Sequence, residues 1–125
     1  MIIGIGIDIL AISRVGRLLA KFPERFRTKV FTKAEALFCD ARVESVSSYA
    51  KMFALKEATI KAISCTKGMH WHDMEVTHDH NGRPLINLHG GALRNVLKRA
   101  ARFSVLATVS DEKDHVSACV IIEGE

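Results

Sequence analysis

The chain reads as an α+β protein with a mainly antiparallel sheet. Three observations point there. Apolar residues alternate or run in short stretches at both ends of the sequence, one long segment has helical spacing in its middle, and a strong turn signal, Asn81-Gly82, divides two of the strand-like runs. With 125 residues, 48% of them hydrophobic, the chain has enough apolar material for one core, and a charged fraction of 26% excludes a disordered polymer. No apolar run approaches the roughly 20 residues of a membrane span. Ile2 to Leu10 resembles the core of a short leader only until Asp8 interrupts it, and no basic stretch precedes it. Cys39, Cys65 and Cys119 are widely separated, which predicts a reducing, cytoplasmic setting and speaks against a thiolate metal site.

Ile2 to Leu10 predicts a buried strand in which Gly4 and Gly6 permit a close backbone approach. Val15, Leu18, Leu19 and Phe22 recur at helical spacing between Arg14, Arg17 and Lys21, so a helix is predicted over about 13–22, stopped by Pro23. Thr32 with Glu35 three residues on is a capping-box pattern that opens a short helix. Tyr49 to Ser64 is the most helical stretch, with Ser47 or Ser48 as its predicted cap. Tyr49, Met52, Phe53, Leu55, Ile60 and Ile63 share one broad face, and Ala50, Ala54, Ala58 and Ala62 form a second stripe that invites close packing. A strand is predicted from Trp71 through Met74 and Val76, and another over Leu85 to His89 after the Asn81-Gly82 turn. A basic helix over 92–101 follows. Strands over 103–110 and 115–123 close the chain as a hairpin around Asp111-Glu112-Lys113-Asp114.

Charge is unevenly placed. The net charge is +4, but residues 11–61 hold eleven Lys or Arg against five acids, and residues 103–125 hold one Lys against five. A basic first half attracts nucleic acid, a phosphorylated molecule or an acidic protein. Asp8 at the end of an apolar run is either a strand-end acid or a ligand for a hard cation such as Mg²⁺, which prefers oxygen and is held by one or two carboxylates with substrate phosphates. Glu57 and Lys61 are either a plain i,i+4 pair or, since alanine rather than polar residues flank Glu57, an acid and an ammonium enclosed near a second surface. His70, His72, His78 and His80 read as exposed polar histidines rather than zinc ligands, because no cysteine is near His78 or His80 and Asp79 to Gly82 is turn material. Gly4 and Gly6 lack the third glycine of a dinucleotide fingerprint, and there is no nucleophile elbow. With 6% aromatics and no aromatic ladder among the cations, the sequence speaks against a single-strand nucleic-acid platform. Duplex binding through the basic helices 13–22 and 92–101 remains the competing reading.

Gly4-Ile5-Gly6-Ile7-Asp8 followed by Arg14 resembles the N-terminal motif of the bacterial holo-(acyl-carrier-protein) synthases, the small 4'-phosphopantetheinyl transferases. Phe53-Ala54-Leu55-Lys56-Glu57-Ala58, with Lys61 four residues after the Glu, resembles their second signature. Phe31-Thr32 with Glu35, Asn81-Gly82-Arg83-Pro84, and the closing stretches from Thr108 to Glu112 and from Val120 to Glu123 are similar as well, so the resemblance spans nearly the whole chain. It implies a single 4'-phosphopantetheinyl transferase-like domain over 1–125, its sheet wrapped on a long central helix. It also implies transfer of the phosphopantetheine arm from coenzyme A to a serine of apo-acyl carrier protein, with release of adenosine 3',5'-bisphosphate. The residues it implies are Asp8 and Glu57 on Mg²⁺, Lys61 and Lys56 on the coenzyme A phosphates, and Arg14, with Arg17 and Lys21 by position and charge, on the carrier protein. A homotrimer with sites at subunit boundaries, no nucleic-acid partner and a role in fatty-acid synthesis complete the implication. Two positions depart from the family pattern. Asp111 stands where many members have a histidine, and Met52 where many have an arginine, so a phosphate or carrier contact there is either lost or supplied by Lys51.

Overall fold

The computed structural model describes residues 1–125. In chain order the elements are β1 (Ile2–Ala11), α1 (Ile12–Lys21), α2 (Pro23–Val30), α3 (Lys33–Asp40), α4 (Ser45–Ile63), a 3₁₀ turn (Trp71–Asp73), β2 (Met74–His78), β3 (Pro84–Leu88), α5 (Gly90–Leu97), β4 (Phe103–Asp111) and β5 (His115–Gly124). Strands β1, β5 and β4 form an antiparallel sheet in that order, and β2–β3 is a separate antiparallel hairpin. Helix α4 lies across the inner face of the sheet. Both of its predicted stripes are buried, Tyr49, Met52, Phe53 and Leu55 against the other helices and the hairpin, and Ala54, Ala58 and Ala62 among the most enclosed residues of the chain. The fold is thus the α+β arrangement expected, an antiparallel sheet on a central helix.

The small residues set the distance between sheet and helix. A Cβ on Gly4 would sit 2.1 Å from the Ala62 carbonyl oxygen, and one on Gly6 only 1.9 Å from that of Ala58. Strand β1 therefore lies with its backbone directly on the backbone of α4, and this contact fixes Ile7 and Asp8 relative to the helix.

Several elements differ from the expectation. Pro23 does not merely end α1; it occupies the first turn of a further helix, α2, where its missing N–H is harmless and its fixed φ suits the helix. Phe26 and Val30, four apart and both buried, are the signal for that helix. Helix α4 begins at Ser45, with Glu44 at its N-cap, so neither Ser47 nor Ser48 caps it. The stretch from Trp71 starts as a 3₁₀ turn and becomes a strand only at Met74. The last helix is shorter and earlier than 92–101, because its N-terminus is held by Asp73, whose carboxylate accepts from the Gly91 N–H at 3.2 Å. The capping box forms as read, with the Glu35 N–H donating to Thr32 Oγ1 at 3.2 Å and the Thr32 N–H to Glu35 Oε1 at 2.9 Å.

Strand β1 is buried on one face only. Ile5, Ile7 and Ile9 stand exposed at 65%, 64% and 70%, in register with Ile121, Cys119 and Ser117 of β5 and, beyond them, Leu106, Thr108 and Ser110 of β4. The outer face of the sheet is therefore an apolar surface.

Candidate active site

Strand β1 and helix α4 meet at a corner that carries four charges. Asp8 lies two residues past Gly6 and is largely enclosed, its side chain 14% exposed. Lys61 reaches back from α4 to the strand, where its Nζ donates to the Ile7 carbonyl at 2.8 Å and pairs with Asp8 Oδ1 at 3.3 Å. Glu57, one turn earlier on the helix, completes the acid pair. Burial pushes its carboxyl above the ordinary value and the Asp8 carboxylate pushes it further, while Arg14 and Lys61 pull it down. Arg14, the first cation of α1, lies over the Phe53 ring at 6.0 Å on the same side. Arg14, Arg17 and Lys21 are all exposed, and their spacing sets them along one face of α1.

A half-buried Glu57 whose carboxyl is raised by burial and then by the Asp8 charge is a setting that suits a small divalent cation. No group of three or more His, Cys, Asp or Glu side chains converges anywhere in the chain. A donor set of two oxygen ligands fits an ion that completes its shell from water and substrate phosphate, as Mg²⁺ does, and not a closed zinc cage.

Lys56 corrects the sequence expectation. Its side chain is wholly buried and turned away from the acid pair. Nζ pairs with Glu35 at 2.8 Å and donates to the carbonyls of Met74 at 2.8 Å and Trp71 at 3.1 Å. Burial lowers its pKa, and Glu35 opposes that shift. With three acceptors engaging the ammonium, nothing remains for a coenzyme A phosphate. Lys56 ties α4 to α3 and to the segment leading into β2.

A second basic site was not singled out from the sequence. Phe38, Arg42, Lys51, His78, His80 and Arg83 line a cleft of about 590 Å³ between α3, α4 and the β2–β3 turn. The His78 ring stacks on Phe38 at 4.3 Å and 11°, and Arg42 lies over the same Phe38 ring at 5.2 Å. Lys51 sits at one end of the cleft, 3.6 Å from Asp111, so the carboxylate that replaces the family's histidine is paired with the lysine. The signals were present in the basic excess of residues 11–61 and in the Asn81-Gly82-Arg83-Pro84 turn, but only the fold brings them together. Ser48, Lys51, Met52 and Leu55 border this cleft. At 100° per residue they project from the side of α4 opposite Phe53, Glu57 and Lys61, about half a turn around the helix.

Fold and site together describe an α+β transferase that handles a phosphorylated substrate. Residues 4–120 match the 4'-phosphopantetheinyl transferase superfamily. The chain is 41% identical to the holo-[acyl-carrier-protein] synthase of Methylobacterium nodulans over 98% of its own length and 97% of the relative's. Its structure resembles the Neisseria meningitidis holo-[acyl-carrier-protein] synthase with a TM-score of 0.86 at 34% identity, covering 98% of this chain and 99% of that one. It also resembles the Helicobacter pylori enzyme solved in complex with coenzyme A, with a TM-score of 0.82 at 27% identity over 95% and 99% of the two chains. The chain belongs to the holo-acyl-carrier-protein synthase family of 4'-phosphopantetheinyl transferases.

Proposed function

We propose that this protein, acting as one domain over residues 1–125, transfers the 4'-phosphopantetheine arm of coenzyme A to a serine of apo-acyl carrier protein, with Mg²⁺ as cofactor and adenosine 3',5'-bisphosphate as the second product. The observation that carries the reading is the meeting of Asp8 and Glu57 at one corner, with Lys61 bound to the strand beside them. Asp8 and Glu57 would hold the ion. When bound, Mg²⁺ offsets negative charge on the pyrophosphate oxygens.

The serine Oγ attacks the phosphorus that bears the pantetheine. The bond from that phosphorus to the bridging oxygen breaks, adenosine 3',5'-bisphosphate leaves with the electron pair, and the serine proton passes to solvent or to the departing phosphate. Lys61 stands where an ammonium can neutralise the departing phosphate, and its bond to the Ile7 carbonyl fixes that position beforehand. Phosphoryl transfers of this kind depend on in-line placement and charge more than on a base. Arg14, Arg17 and Lys21 give α1 a cationic face next to the acid pair, suited to an acidic carrier protein.

The cleft around Arg42, Lys51, His78 and Arg83 suits the nucleotide end of coenzyme A, but in one protomer it lies across α4 from Asp8 and Glu57. A single coenzyme A can use both only if neighbouring protomers supply them. The exposed Ile5, Ile7, Ile9 and Leu106 supply an apolar face for that association, which supports the homotrimer. No helix is long and apolar enough to cross a membrane, and three unpaired cysteines fit a cytoplasmic setting.

Intact-mass measurement on apo-carrier protein incubated with coenzyme A and Mg²⁺ tests the reading. The expected result is the gain of one phosphopantetheine, lost on chelation and reduced at least about 10²-fold in Asp8→Ala or Glu57→Ala. No mass gain, or gain undiminished by chelation and by both substitutions, overturns it. Charge reversal at Arg14 should raise KM for carrier protein more than KM for coenzyme A.

A further inference from the structure

His78 has a setting that its neighbours in sequence do not share. The ring is half-buried, held flat against Phe38 of α3, and faces into the basic cleft. Charged and titratable groups surround it from each packed element: Arg42 from the α3–α4 connection, Lys51 from α4 with Asp111 of β4 behind it, and Asp79, His80 and Arg83 from the β2–β3 turn. Asp79, engaged by the Asn81 and Arg83 N–H groups at 2.9 Å each, is the anion that opposes Arg42 and Lys51 at the ring.

Cations thus outnumber anions around the ring while the cleft is free of an anion. Burial, then Arg42 and then Lys51, loosen the His78 proton below the ordinary imidazole value, with Asp79 opposing. A phosphate entering the cleft reverses that balance. It neutralises Arg42 and Lys51 and adds negative charge within reach of the imidazole, which favours His⁺. A protonated ring on Phe38 also gains from the face of the aromatic.

We infer that His78 is a phosphate-binding residue of the cleft, one whose imidazole takes up a proton as the phosphate arrives. This rests on the reading that the cleft receives the nucleotide end of coenzyme A. The role is specific to phosphate because a neutral base or ribose gives the ring no reason to charge. It makes the grip on coenzyme A and on the bisphosphate product weaken as pH rises, separately from any event at Asp8 and Glu57.

Adenosine 3',5'-bisphosphate is the probe. Calorimetric titration of the wild-type protein and of His78→Gln at pH 7.5, in two buffers of different ionisation enthalpy, counts protons taken up per ligand. The ligand's own phosphate ionisation and any contribution of the acid pair are common to both proteins and cancel. The wild type should take up about half a proton more than His78→Gln. Between pH 6.5 and 8.5 its affinity should fall about tenfold more, because about half a proton taken up across two pH units is one decade in affinity. His78→Lys, permanently charged, should bind without the extra proton and keep its affinity at pH 8.5. Equal proton counts and parallel pH profiles in wild type and His78→Gln overturn the inference, as does failure of the bisphosphate to bind the wild type. Transfer to apo-carrier protein is measured on the same wild-type sample. Normal transfer with equal proton counts strikes only His78, whereas absence of transfer strikes the functional reading itself.

Discussion

Replacing Gly6 with alanine tests whether contact between β1 and α4 is what builds the active site. The added Cβ would lie 1.9 Å from the Ala58 carbonyl oxygen, 2.8 Å from the Ala62 nitrogen and 2.9 Å from the Ala58 carbonyl carbon. All three are backbone atoms within α4, so no rotamer change relieves the clash. Strand β1 must back away by about 1 Å or more before the contact becomes an ordinary one. Forced repacking of this kind costs about 1–3 kcal/mol, which lowers Tm by several degrees in a domain of this size. The functional loss should be larger than the stability loss suggests. Lys61 Nζ lies 2.8 Å from the Ile7 carbonyl and 3.3 Å from Asp8, and a retreat of about 1 Å takes both beyond hydrogen-bond range. Misplacement by that distance costs about 10²-fold in rate. The assay is the transfer rate at saturating coenzyme A and Mg²⁺ beside a thermal melt. Gly16→Ala is the control, because its Cβ would meet only a Val46 methyl at 3.5 Å, within a helix that favours alanine. A Gly6→Ala protein with wild-type rate and Tm refutes the claim that backbone contact between strand and helix positions Asp8.

Three further outcomes rest on the same geometry. Lys56→Met strands the enclosed Glu35 carboxylate and should cost about 3–5 kcal/mol in urea unfolding, with much of it regained in the Lys56→Met, Glu35→Gln double variant; whatever remains folded should keep its KM for coenzyme A. Burial pushes the Cys39 thiol up to about 12, so above the unfolded value of 9.0 the unfolded chain releases a proton that the folded one keeps; stability present below pH 9 should drain away by about 2 kcal/mol near pH 10.5 in urea titrations, and Cys39→Ala should flatten that alkaline limb. Under the proposed trimer, Ile7→Glu on the exposed sheet face should give monomers by sedimentation and abolish transfer, and an unchanged sedimentation coefficient would remove the sheet face as the contact.

The acid pair was legible in the sequence for a physical reason. A carboxylate in an apolar strand and a second beside an alanine stripe are both costly to bury without a counter-charge, and burial is where sequence pattern speaks most clearly. Lys56 misled because it stands next to Glu57 in the chain. Adjacent residues on a helix point about 100° apart, so a neighbour in sequence is seldom a neighbour in space, and Lys56 turns into the core to meet Glu35. Helix α2 was lost because a proline that ends one helix can equally begin the next, and only the burial of Phe26 and Val30 decides between these. The basic cleft was invisible for the opposite reason to the acid pair. Its cations come from the α3–α4 connection, from α4 and from a turn some thirty residues later, and each alone is an ordinary exposed charge.

Under the proposed chemistry, the position of that cleft calls for more than one chain. Helix α4 is central because it is apolar or small nearly all the way round, and a helix buried on every side has no single polar face on which to gather a whole site. Its few polar positions emerge only where neighbouring elements leave a gap. One gap opens toward β1 and α1 at Glu57 and Lys61, the other toward α3 and the hairpin at Ser48 and Lys51. The body of the protein stands between them, so a substrate with a diphosphate at one end of its nucleotide and a further phosphate at the other cannot bridge them through the core. The exposed isoleucines alternate with Asp8 along β1, so they cover the outer face of the edge strand whose inner face carries the acid. Under the proposed trimer, a second copy packed on the outer sheet face meets the edge strand β1, and from that edge it delivers the missing cations to the first gap.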